Sequence, residues 1–124
     1  MSGHNPSLDK IHELTTEEQL DSIFGNSTQR PQLLFKHSLT CPISSRAHRE
    51  YLAYLGNEPN AETEYHLVAV QTARPVSNRI AERTEVRHES PQALLVVNGE
   101  VTWHASHGGI TEASLRDAIA STQS

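Results

Sequence analysis

The sequence predicts an α/β domain in which a four-stranded mixed sheet is flanked by helices, with an extra helix at its N-terminal side. Three observations carry this. Two short unbroken apolar runs, Leu33-Leu34-Phe35 and Leu67-Val68-Ala69-Val70, enclose a stretch with helical spacing, the pattern of parallel strands covered on both faces and joined by a helix. Asn98-Gly99 separates two later strand-like segments, and both residues tolerate the positive φ of a tight hairpin. Side-chain caps and a proline mark helix starts between these strands.

Residues 1–13 read as a polar, flexible lead. Thr15, with Glu18 three positions later, forms a capping box for a first helix whose stripe is Leu20, Ile23 and Phe24, stopped by Gly25-Asn26. The first strand runs to His37. Pro42 then opens a helix at its first position, with Ile43, Ala47, Tyr51, Tyr54 and Leu55 near helical spacing and Gly56 as its stop. A polar loop through Glu64 precedes the second strand. Arg74-Pro75-Val76-Ser77 begins a third helix with Val76, Ile80 and Ala81 inward. The hairpin strands are Gln92 to Val97 and Glu100 to Ala105, and Thr111 caps a last helix facing inward through Leu115, Ala118 and Ile119. The domain therefore spans residues 14–120, with a polar tail at 121–124. This element order is that of a thioredoxin-like fold.

A chain of 124 residues supports one core. Its formal charge of -5 has the wrong sign for neutralising phosphates, which argues against nucleic acid. No apolar run approaches a membrane span, and Met1 to Glu13 lacks the apolar stretch of a signal peptide. The expectation is a soluble cytoplasmic protein. A single cysteine, Cys41, excludes an intrachain disulfide and suits a reducing compartment.

Cys41 stands where the first strand hands over to the Pro42 helix, and sites of such sheets form beyond the carboxyl ends of parallel strands. The thiolate is the attacking species in disulfide exchange, and a helix N-terminus favours it because the unpaired N–H groups of Ile43 and Ser44 can point toward sulfur. Ser44 occupies the place of a resolving cysteine three residues on. Its hydroxyl can donate to the thiolate but cannot displace a bound partner, so a second molecule must resolve any mixed disulfide. A lone cysteine is more often a small buried hydrophobe; its position at a strand-to-helix junction outweighs that reading. Ser90-Pro91, just before a strand, fits either a cis proline beside the cysteine or an ordinary trans proline.

The segments Phe35-Lys36-His37-Ser38-Leu39-Thr40-Cys41-Pro42-Ile43-Ser44, Arg74-Pro75-Val76-Ser77-Asn78 and His88-Glu89-Ser90-Pro91-Gln92 closely resemble the monothiol bacilliredoxin family, also called YtxJ-like general stress proteins. Asn98-Gly99, Trp103, Ser106-His107 and Ile110-Thr111 fit the same pattern, in order from about Thr15 to Ala120. The resemblance implies a thioredoxin-like fold and a thiol-disulfide oxidoreductase that removes bacillithiol, a low-molecular-weight bacterial thiol, from S-bacillithiolated client proteins. Cys41 is then the nucleophile, framed by Thr40, Pro42, Ile43 and Ser44, while Ser90 and Pro91 offer backbone contacts to the bound thiol. It further implies regeneration by bacillithiol or another redoxin, with no metal and no tightly bound cofactor. Gly108-Gly109 departs from the bulkier residues of relatives and bears on the groove beside the hairpin.

Bacillithiol carries carboxylates, which makes a basic residue at the sheet's carboxyl edge useful. Arg74 is the first candidate, with Lys36 and Arg46 behind it, each against the alternative of a solvated surface charge. Eight histidines raise a metal reading, with His104 and His107 close together, but their scatter does not suit convergent ligands. His37 or His107 can instead influence the sulfur, against exposed strand-end histidines as the plainer reading. Two further functions stay open: a thiol-based sensor or carrier without turnover, and an iron-sulfur carrier like monothiol glutaredoxins, from which Pro42-Ile43 departs.

Overall fold

The computed structural model describes residues 11–57 and 59–123. The elements follow in the order β1 (Ile11–Glu13), α1 (Glu17–Asn26), β2 (Gln32–His37), α2 (Pro42–Leu55), β3 (Glu64–Ala69), α3 (Arg74–Thr84), β4 (Gln92–Val97), β5 (Glu100–Ser106) and α4 (Glu112–Ala120). Short 3-10 turns at His107–Gly109 and Ser121–Gln123 flank α4. The strands form one sheet in the order β1-β3-β2-β4-β5. β2 and β3 run parallel, as two strands joined by a helix should, and β4 and β5 are antiparallel to their neighbours.

The sheet therefore has five strands, not four. The additional strand, Ile11–Glu13, pairs parallel to β3 with Ile11 opposite Tyr65, so part of the expected flexible lead is an edge strand. Three residues give no readable alternation, and the strand is fixed by pairing: the Leu14 N–H continues the ladder to the Leu67 carbonyl at 2.9 Å. The other part of that lead, residues 1–10, lies outside the described residues. A second correction concerns α1, whose N-cap is Thr16 with Gln19 as its reciprocal partner, one residue beyond the Thr15–Glu18 box. Both threonines satisfy the same pattern.

Every residue of β2 is buried. Its alternation divides the core in two. Leu33 and Phe35 join Tyr51, Tyr54 and Leu55 of α2 and Leu115 and Ile119 of α4 on one face. Leu34 joins Leu20, Ile23 and Phe24 of α1 and Val76 and Ile80 of α3 on the other. With both faces covered, β2 is fixed in register, and its carboxyl end delivers residues 38–41 to the rim of the sheet.

Candidate functional site

Cys41 is the N-cap of α2, with extended backbone at φ -101° and ψ 122°, and Pro42 takes the first helical turn as expected. The Cys41 carbonyl accepts the first helical bond, from the Ser45 N–H at 3.1 Å. The cysteine is half-buried and unpaired. On either side of it Leu39 and Ile43 are 56% and 52% exposed, so Cys41 stands between two exposed apolar side chains and outside the buried core. No hydrogen bond caps the helix through the sulfur; the Ile43 and Ser44 N–H groups lie at the same helix end without bonding it.

Ser44 departs from its expected role as donor to the sulfur. It is fully buried, its Oγ accepts from the Ser38 N–H at 2.8 Å, and it lies 2.8 Å from His37 Nδ1. Oγ thus holds the Ser38 N–H and the His37 ring together, and which of Oγ and Nδ1 donates follows the tautomer of the ring. Burial, with the neighbouring His48 ring as a lesser cause, lowers the His37 pKa and favours the neutral ring. His37 is a buried residue, not the exposed strand-end histidine of the plainer reading. Its ring stacks on His48 of α2 at 4.6 Å and near Phe35 at 5.9 Å. His37 and Ser44 thus clasp the end of β2 to the first turn of α2.

The loop between them is held from β3. Gln71 Oε1 accepts from the Leu39 N–H at 3.0 Å, while its Nε2 donates to Ser38 Oγ at 2.9 Å and Thr40 Oγ1 at 3.3 Å. Sequence reasoning passed over Gln71, for which the position directly after the second apolar run is the only available signal.

Beyond the loop, the Ser90-Pro91 peptide is cis, and the Pro91 carbonyl accepts from the His107 N–H at 3.1 Å. Ser90 Oγ and Gln92 Oε1 are buried without a hydrogen-bond partner among the described residues. His107 has φ 52°, and its Nδ1 lies 3.7 Å from Glu89 Oε1.

The three basic candidates part company. Lys36 is neither a surface charge nor a ligand-facing one: it is fully buried on the α1/α3 face, where Nζ donates to His88 Nδ1 at 3.1 Å. Desolvation lowers its pKa to about 8. Arg74 is exposed at the start of α3 and is close enough to His88 to help lower that histidine's pKa, behind burial and Lys36. Arg46 is exposed on α2 and lines a groove with Ile43, Glu50, His107 and Gly108. Arg74 is not among the residues of that groove. Among the described residues no three histidine, cysteine or acidic side chains converge as metal ligands, and no helix is long and apolar enough to cross a membrane.

A half-exposed cysteine capping a helix at the carboxyl rim of this five-stranded sheet defines a thioredoxin-fold protein built for thiol chemistry. Solved structures agree on the fold. A protein described as an inferred oxidoreductase with a thioredoxin fold superimposes with a TM-score of 0.79 at 33% identity, covering 90% of this chain and 96% of that one. Thioredoxin from Trypanosoma brucei brucei gives 0.74 at 13% identity, covering 99% and 96%. Thioredoxin f from spinach chloroplast gives 0.70 at 10% identity, covering 92% and 94%. At the finer level, residues 12–115 match the family model of monothiol bacilliredoxin BrxC. The chain belongs to the monothiol bacilliredoxin family, a group of thioredoxin-like thiol oxidoreductases.

Proposed function

We propose that this protein removes bacillithiol from S-bacillithiolated proteins by monothiol exchange at Cys41. The single observation that carries the reading is a half-exposed cysteine at the N-cap of α2 whose helical neighbour, Ser44, is bound into the fold. The Cys41 thiolate attacks the bacillithiol sulfur of the client's mixed disulfide. That S–S bond breaks, the client cysteine leaves as a thiolate and takes a proton from water, and Cys41 becomes joined to bacillithiol. A second bacillithiol, as thiolate, then attacks the bound bacillithiol sulfur, releasing bacillithiol disulfide and the Cys41 thiolate.

The aligned peptide dipoles of α2 support negative charge on sulfur at both thiolate stages. Leu39 and Ile43 supply apolar surface for a client to rest on. The chemistry needs neither metal nor organic cofactor, and a sole cysteine in a bacterial thiol system suits the cytoplasm. The test is turnover of a bacillithiolated client in excess bacillithiol. Wild type releases many equivalents of client thiol and Cys41→Ala releases none. A single stoichiometric modification of Cys41 without client release replaces exchange by sensing, and activity retained in Cys41→Ala overturns the assignment.

A further inference from the structure

A groove of about 430 Å³ opens on the α2/α4 side of the sheet, with one wall from the first turns of α2 and the other from the turn between β5 and α4. Each wall is joined to the candidate site through one residue. Ile43, two residues beyond Cys41, lines the first; His107 lines the second and is tied through its N–H to the Pro91 carbonyl. The volume suits one small molecule and is too small for a folded domain.

The charges along the groove are unequal in freedom. Glu50 is committed, its Oε1 accepting the Glu112 N–H at the start of α4 at 2.8 Å. His107 faces Glu89. Arg46 is exposed and makes no ion pair or hydrogen bond among the described residues. In a chain of net charge -5, the groove thus presents a guanidinium with no ion-pair partner among the described residues, and such a group pairs with carboxylates in two parallel hydrogen bonds. Gly108 completes the opening: a Cβ built there meets no atom within 4 Å, and its φ is not in the left-handed region. The glycine therefore leaves space that any larger residue would occupy without straining the backbone.

We propose that this groove is the subsite for the non-reacting, carboxylate-bearing body of the small thiol, with Arg46 binding a carboxylate and Gly108 keeping the space open. The inference rests on exchange at Cys41 and selects Arg46, not Arg74, as the residue that chooses the thiol.

The test uses one client peptide prepared with two mixed disulfides, one to bacillithiol and one to uncharged mercaptoethanol. Arg46→Gln is expected to lower kcat/KM for the bacillithiol peptide about tenfold, mainly through KM, the loss that follows from one charge-assisted hydrogen bond, and Gly108→Trp is expected to lower it by about as much by filling the space. The mercaptoethanol peptide should change by less than about twofold, on the same arithmetic. Equal losses on both peptides, or no loss on the bacillithiol peptide, overturn the subsite while exchange at Cys41 stands. A wild-type protein that turns over neither peptide overturns the exchange reading and the subsite with it.

Discussion

Replacing Lys36 by methionine should make the protein more stable at neutral pH, and the gain should vanish in alkali. The lysine is fully buried, and among the described residues its ammonium has one hydrogen-bond partner, His88 Nδ1, and no carboxylate paired to it. Lowering a lysine from 10.5 to about 8 corresponds to about 3 kcal/mol of penalty on the folded, charged form. Because the folded pKa lies below the unfolded one, the unfolded chain holds the extra proton between pH 8 and 10.5. Wild-type stability therefore rises with pH across that window, recovering about 2 kcal/mol by pH 9.5. Methionine keeps the stem and forfeits the bond to His88, costing about 1 kcal/mol. His88 is exposed and can turn to water, and it keeps Ser77 Oγ at 3.3 Å.

The expected net gain for Lys36→Met is then about 2 kcal/mol at pH 7, falling to near zero at pH 9.5. Urea unfolding at the two pH values measures it, with Cys41→Ser in both proteins so that the thiol does not titrate. Stopping at pH 9.5 also avoids Tyr51 and Tyr65, whose raised folded pKa values remove stability above pH 10. A variant less stable than wild type at pH 7, or a difference that does not depend on pH, refutes the reasoning.

Ser44→Ala separates structure from chemistry. It strands the buried His37 Nδ1 and Ser38 N–H and should cost about 1–3 kcal/mol in unfolding experiments, while exchange per folded molecule falls only slightly; a large rate loss at unchanged stability contradicts this. His66 governs acid lability. It donates through Nε2 to Gln32 Oε1 at 2.8 Å, and Nδ1 is buried without a partner among the described residues, while burial, with a smaller contribution from His12, depresses its pKa from 6.5 to about 3. The resulting stability is complete above pH 6.5 and is lost as pH falls toward 3, with about 3 kcal/mol gone by pH 4.5. His37 and His48 are shifted in the same direction. His66→Leu should be less stable at pH 7, because Gln32 Oε1 loses its donor, yet show a shallower acid limb; parallel pH curves for the two proteins count against the assignment.

What could be read from the chain was whatever local chemistry decides. Cys41-Pro42 announces a helix cap because proline fits the first turn and costs no hydrogen bond there, and Asn98-Gly99 announces a turn that the structure places at φ 53° and 79°. The unbroken apolar runs revealed central strands for the same reason that β2 is buried throughout. Three features escaped because their causes are distant in sequence. β1 exists through its pairing with β3. Lys36 belongs by type to the surface, but strand alternation directs it with Leu34 into the α1/α3 face, where only the fold supplies His88 as partner. The groove joins α2 to residues about sixty positions later, and no motif records that Arg46 and Gly108 meet across it.

On the proposed exchange, the clasp between His37 and Ser44 leaves the choice of thiol to a non-covalent site. Where a second cysteine stands at the third helical position, the internal thiol is held close to the mixed disulfide and outcompetes external thiols by effective concentration. Here that position holds a hydroxyl whose hydrogen bonds are taken up by Ser38 and His37, and the chain has no other cysteine. Every step that releases Cys41 must therefore begin with an encounter from solution, at a rate set by how well the incoming or bound thiol is positioned. On the proposed exchange, selectivity arises only from contacts beyond the sulfur itself, and the candidates are the apolar side chains of Leu39 and Ile43 and the groove whose Arg46 has no ion-pair partner among the described residues.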